Sequence, residues 1–99
     1  MQEITVQELK QRQANGGNLN IIDVREEWEF DEDNIGAQLL PLGDLPKRLS
    51  EITHLKDEEV IVHCRSGARS ARAQKYLMSQ GFSNVINLAG GIMAYREDA

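Results

Sequence analysis

The chain is predicted to fold as an α/β protein: a mainly parallel central sheet of about five short strands, flanked by helices on both faces. Three observations point there. Apolar runs of four or five residues recur at 20–24, 39–42, 60–63 and 85–88, short enough for buried strands. Segments with helical spacing separate these runs, so that strand and helix alternate along the chain. The 99 residues, 40% hydrophobic and 27% charged, are sized and composed as one globular domain over 1–99.

Each element has a local reason. Thr5-Val6-Gln7-Glu8 fits a capping box, with the Thr5 hydroxyl capping the first turn and Glu8 reaching back. The helix it starts is expected to run to about Ala14 and to stop at Asn15-Gly16-Gly17. Residues 20–24 follow as a buried strand, 26–30 as a short helix, and Asp31-Glu32-Asp33-Asn34 as a polar turn. Residues 39–42 read as a short extended piece, since Pro41 biases Leu40 away from helix. Leu45, Leu49 and Ile52 give 44–52 helical spacing, with Pro46 tolerated in the first turn. Residues 60–63 are β-branched after a polar stretch and form a strand. The longest helix is expected over 68–80, with Ala73, Tyr76 and Leu77 facing inward and Gly81 ending it. Residues 85–88 add another strand, and Gly90-Gly91 turn the chain into a last helix through about Arg96.

Composition excludes several classes. One cysteine cannot close an internal disulfide, so a disulfide-stapled scaffold is ruled out and a reducing, cytoplasmic setting is expected. No apolar run approaches the ~20 residues that cross a bilayer. The start Met-Gln-Glu-Ile-Thr lacks the basic-then-apolar pattern of a secretory leader. The net charge of −5 is spread unevenly. Residues 1–59 carry fourteen acids and six bases, whereas 60–96 carry Arg65, Arg69, Arg72, Lys75 and Arg96 and no acid. That half favours an anionic substrate. With an acidic whole and no aromatic–basic platform, nucleic acid is not an expected partner.

The run His63-Cys64-Arg65-Ser66-Gly67-Ala68-Arg69-Ser70 opens the basic half. It places the single thiol between a buried strand and a helix start, at the strand end where parallel sheets put their working sites. Unpaired N–H groups there carry partial positive charge and can bring a thiol pKa from about 8.5 down toward or below 7. Cys64 is therefore the candidate nucleophile. The N–H groups of residues 65–70 form a candidate anion nest, and Gly67 permits the sharp turn. The guanidinium groups of Arg65 and Arg69 are candidate electrostatic helpers.

Three ordered motifs then resemble those of the rhodanese-like domains, over nearly the whole chain. Ile21-Ile22-Asp23-Val24-Arg25 with the acids and Trp28 beyond it resembles the first strand and turn of that family. The loop from Cys64 to Ser70 resembles its active-site loop. Gly81-Phe82 through Val85-Ile86-Asn87-Leu88-Ala89-Gly90-Gly91 to Tyr95 resembles its C-terminal signature. Two places depart from it: Asn34-Ile35-Gly36-Ala37 lacks the His and Pro common there, and Tyr95 stands where many members carry Trp. The resemblance implies a sulfurtransferase that takes sulfane sulfur from an anionic donor such as thiosulfate onto Cys64. A persulfide then passes it to cyanide, a thiol or a protein acceptor. No cofactor is implied, and a monomer is expected.

Two rivals stand beside it. A non-turnover sulfur carrier or regulatory module acting on a protein partner would share these motifs. A phosphatase or arsenate reductase fits less well: phosphatase loops put five residues between Cys and Arg, but four separate Cys64 from Arg69 and Ser70 holds the needed position. Asp23 and Arg25 are expected to support the site, Asp23 through hydrogen bonds to loop N–H groups and Arg25 by pairing with a carboxylate or lining the mouth. His63 should point to the opposite face from Cys64 and be structural, while His54 should be solvated. Two histidines and one cysteine make no metal set. The acids of 26–33 read as solvated surface or, secondarily, as a dock for a basic partner. Trp28 and Tyr95 read as packing residues.

Overall fold

The computed structural model describes residues 2–98; Met1 and Ala99, the ends of the predicted domain, and Met1's part in the leader reading, lie outside the described residues. The β-branched run Glu59–His63 forms β4, the central strand of a five-stranded sheet. Its neighbours are β2 (Ile21–Asp23), in register Ile21 with Ile61 and Asp23 with His63, and β5 (Asn84–Leu88), with Val60 beside Val85. The edges are β3 (Gln38–Leu39) beside β2 and β1 (Glu3–Ile4) beside β5. The order is β1-β5-β4-β2-β3 and every pairing is parallel. Sheet class and parallel pairing agree with the α/β expectation. The two-residue β1 carries no apolar run, so its strand is invisible to periodicity; it forms because Glu3 and Ile4 align with Asn87 and Leu88.

Strand alternation sorts the core onto two faces. Val60, Val62 and Cys64 face one side, where Ala73 and Leu77 of α4 (Ala68–Ser79) and Leu45 of α3 (Leu45–Arg48) cover them. Ile61 and Ile86 face the other, under Val6 and Leu9 of α1 (Val6–Ala14) and the partly buried Tyr95 of α5 (Gly91–Glu97). The Thr5 cap is present, its hydroxyl accepting from Glu8 N–H at 3.1 Å.

Two segments differ from the reading of the sequence. The helix expected over 44–52 is broken: α3 spans four residues, with single 3-10 turns at 42–44, 49–51 and 53–55. Tight turns let Leu45, Ile52 and Leu55 all point into one core face, which a straight helix of that length would not. Further back, α2 (Glu27–Glu32) extends into the predicted polar turn, and none of its residues is buried. Among the described residues no helix is long and apolar enough to cross a membrane.

Candidate functional site

Chain direction puts the ends of β2, β4 and β5 at one rim of the sheet, and Cys64 follows β4 there. Its parity continues Val60 and Val62, while His63 shares the side of Ile61, as the alternation predicts. The chain then turns through Gly67, whose φ of +112° is strained for any residue with a side chain, and enters α4 at Ala68. The turn folds the helix start back over the sulfur. Gly67 N–H donates to Cys64 Sγ at 3.1 Å and Ser70 N–H at 3.4 Å. Ser70 Oγ lies 3.4 Å from the sulfur.

The serine hydroxyl has one proton and three acceptors in reach: Cys64 Sγ, Gly67 C=O at 3.2 Å and Asn87 Oδ1 at 2.5 Å. The shortest contact takes it, so the backbone N–H groups are the lasting donors to sulfur and the hydroxyl an occasional one. Asn87, near the end of β5, also donates from Nδ2 to Gly67 C=O at 3.2 Å and so braces the turn from below. Burial pushes the thiol pKa up. The hydrogen bonds from Ser70, Gly67 and Ser66 outweigh it, and the net displacement is below the ordinary thiol value.

Cys64 is 1% exposed. The loop closes over the sulfur, and the Gly67 and Ser70 N–H groups that favour a thiolate are among the atoms that cover it.

The loop is held from a second side. At Gly91, φ is +59°, and a Cβ would stand 2.4 Å from Arg65 O and 2.5 Å from Cys64 O. This closeness lets Ile92 N–H donate to Cys64 C=O at 2.9 Å and Met93 N–H to Arg65 C=O at 3.1 Å. The start of α5 is thus pinned to Cys64 and to Arg65 beside it.

The predicted supporting and helper residues sit as follows. Asp23 is fully buried, but its partners are not loop N–H groups. Arg25 donates to it from its own N–H at 3.0 Å, from Nε at 3.0 Å and from Nη2 at 2.8 Å. The expectation for Asp23 is corrected: an adjacent guanidinium, itself 4% exposed, reaches it before any loop amide does. Arg25 pairs with a carboxylate and also ties down the end of α2 through Asp33 C=O at 2.7 Å. His63 is fully buried. Its Nδ1 is 3.3 Å from Cys64 O, and Nε2 has no hydrogen bond, lying 3.6 Å from Asp23 Oδ2. Burial lowers its pKa more than Asp23 raises it, so His63 is neutral and its Nδ1–H serves the Cys64 carbonyl.

Arg69 is not free to meet an anion. Glu29 takes both its Nη1 at 2.6 Å and its Nη2 at 2.9 Å, and this bidentate pair holds the Glu29 carboxyl at about 2. Arg65 is exposed and, among the described residues, has no carboxylate partner. Thus one of the two helper arginines is neutralised and the other is not. The acid run is likewise only partly solvated: Glu29 pairs with Arg69, and Asp33 with Arg96 at 2.7 Å. Trp28 does not pack, being 64% exposed, while Tyr95 does, donating to Gln13 Oε1 at 2.9 Å. Glu29, Asn87 and Gly91 are site residues that sequence reasoning does not single out. An alternating strand hides Asn87, a run of surface acids hides Glu29, and Gly91 reads as an ordinary turn. Among the described residues no group of three or more His, Cys, Asp or Glu gathers to hold a metal ion.

The arrangement is a lone cysteine whose sulfur lies in a nest of N–H groups at a parallel-sheet rim. The rhodanese-like domain profile matches residues 5–98. The chain is 44% identical over 94% of its length to a protein from Allochromatium vinosum named sulfurtransferase, covering 86% of that protein. It is 38% identical to the putative sulfurtransferase YtwF of Bacillus subtilis, over 96% of this chain and 90% of that one. It is 37% identical to the putative sulfur carrier protein YrkF of the same species, covering 91% of this chain but 48% of the relative. A rhodanese-like domain protein from Staphylococcus aureus superposes with a TM-score of 0.88 at 32% identity, over 96% of this chain and 91% of its own. The chain belongs to the rhodanese-like domain family.

Proposed function

We propose that the protein is a sulfurtransferase that carries sulfane sulfur on Cys64. The Cys64 thiolate attacks the outer sulfur of thiosulfate, a sulfur–sulfur bond forms as the donor's own breaks, and sulfite leaves with the bonding pair. The persulfide on Cys64 is then attacked at its terminal sulfur by cyanide, giving thiocyanate, or by a thiolate, giving a new persulfide. Either step restores the Cys64 thiolate, and no redox partner is needed.

The observation that carries this reading is the ring of N–H donors on Cys64 Sγ, which favours the thiolate over the thiol. Sulfurtransferase relatives at 38% and 44% identity support it. The four-residue spacing from Cys64 to Arg69, and the engagement of Arg69 by Glu29, argue against phosphate chemistry, which needs a free arginine over the anion. Arg65, Ser66, Gly67, Ala68, Arg69 and Ser70 are the loop that would hold the anion, with Arg65 supplying the open charge.

The test is intact mass spectrometry after thiosulfate treatment. The wild type should gain one sulfur atom that cyanide removes, and Cys64→Ser should gain none while keeping its circular dichroism. Loading of Cys64→Ser would remove the mechanism. The sulfur-carrier reading, favoured by the likeness to YrkF, is separated by the second step. A carrier loads its cysteine but releases the sulfur to cyanide too slowly for sustained turnover.

A further inference from the structure

Two of the three large hydrophobic side chains exposed among the described residues, Trp28 at 64% and Met93 at 42%, line the same groove of about 350 Å3. Buried Ile92 closes its floor, and Arg65, next to the nucleophile, stands at its edge. Large apolar groups gathered at one place are unusual for a surface without a partner. On α2, Asp31 and Glu32 lie one turn from Trp28, three and four residues on, and Glu27 precedes it. All three carboxylates are exposed and, among the described residues, none takes part in an ion pair. Of the three acids that line the groove, Glu29 and Asp33 are neutralised by Arg69 and Arg96, whereas Glu32 is not. An indole flanked by unpaired carboxylates suits a cation over its face.

We propose that this groove is the docking surface for the protein that receives the sulfur, and that the docking segment is basic and apolar. A Lys or Arg of the partner stacks on Trp28 between the α2 carboxylates, and an aliphatic side chain enters beside Met93. The partner's thiol then lies on the Arg65 side, toward Cys64. Nucleic acid and anionic lipid are repelled by the α2 carboxylates. The thiol rests on the sulfur-transfer reading; the basic, apolar character of the segment stands on the groove itself.

The test is binding to the unloaded protein, so that it succeeds or fails independently of sulfur loading. The probes are short labelled peptides of Lys and Leu with serine in place of the acceptor cysteine, and a copy with Glu for Lys. Anisotropy should give an affinity for the basic peptide roughly tenfold above that of its charge-reversed copy, lost above about 0.1 M salt. The chain's single tryptophan should change its emission on binding. Trp28→Ala and the double variant Asp31→Asn with Glu32→Gln should each weaken binding several-fold, with melting temperatures unchanged. Equal affinity for the two peptides, or binding indifferent to both variants, would overturn the proposal. So would self-association abolished by Trp28→Ala, which would make a second copy the occupant. If the basic peptide binds but thiosulfate leaves no sulfur on Cys64, the docking survives and the transfer reading fails.

Discussion

Replacing Gly91 by alanine adds one methyl group in the worst place the site offers. The new Cβ would meet the carbonyl oxygens of Arg65 at 2.4 Å and Cys64 at 2.5 Å, both backbone atoms. Relief requires α5 to back away by roughly 1 Å. At that displacement the bonds from Ile92 N–H, now 2.9 Å, and Met93 N–H, now 3.1 Å, pass beyond hydrogen-bonding range. Losing two such bonds costs about 2 kcal/mol net, and a φ of +59° costs alanine about 1 kcal/mol more. A total of about 3 kcal/mol in a domain of this size lowers the melting temperature by roughly 12–24 °C. The loop that presents the thiol is released with it, so the Cys64 titration should move up toward that of a free thiol. Thermal unfolding by circular dichroism measures the first effect and the pH profile of iodoacetamide alkylation the second. A fall of less than about 4 °C together with an unchanged alkylation profile would refute the claim that α5 holds the cysteine loop.

Arg65→Ala should raise KM for thiosulfate several-fold, and Arg69→Ala less, because Glu29 already neutralises Arg69; the reverse order in steady-state kinetics would show that the pair opens for substrate. Ser70→Ala should move the Cys64 profile in the same alkylation assay only slightly upward, since the N–H donors of Gly67 and residue 70 remain. A profile returned to that of a free thiol would mean that the hydroxyl carries the thiolate. Glu29 sits at about 2 in the folded protein against 4.5 unperturbed, so its contribution is complete above pH 4.5 and disappears as pH falls toward 2. Discounted for the exposed side of Arg69, that contribution is on the order of 1–2 kcal/mol. The gap in urea midpoints between wild type and Glu29→Gln should therefore close across that range, and a gap independent of pH would exclude the pair as a stabilising element.

Much of the architecture is legible from local pattern. The β-branched run of β4, the capped α1, and α4 with Ala73 and Leu77 inward all follow from spacing that one segment carries by itself. What escapes the sequence depends on a neighbour. The strand of Glu3 and Ile4 exists only because β5 offers an edge, and the break after Arg48 exists because three leucine-sized side chains must reach one curved face. Neither condition has a period of its own.

The site divides in the same way. Cys64, Gly67 and Ser70 are consecutive enough for a strand-to-helix turn to bring their atoms together, so reading that turn from the sequence places them correctly. Arg69 shows where that reasoning stops. Its charge is visible in the sequence, but its availability is decided by Glu29, forty residues away, in a run of acids with no feature to single it out. The same pair changes what the basic half of the chain can do. A field summed over Arg65, Arg69, Arg72, Lys75 and Arg96 suggests broad attraction for anions, yet Glu29 and Asp33 cancel two of the five where they face the groove. Of the three that remain, Arg72 and Lys75 lie outside the groove, so the groove keeps one open guanidinium, Arg65, next in sequence to Cys64, together with the unpaired carboxylate of Glu32. Such a rim selects a donor or acceptor by where its charges sit, and a substrate carrying only negative charge gains from Arg65 while paying at α2.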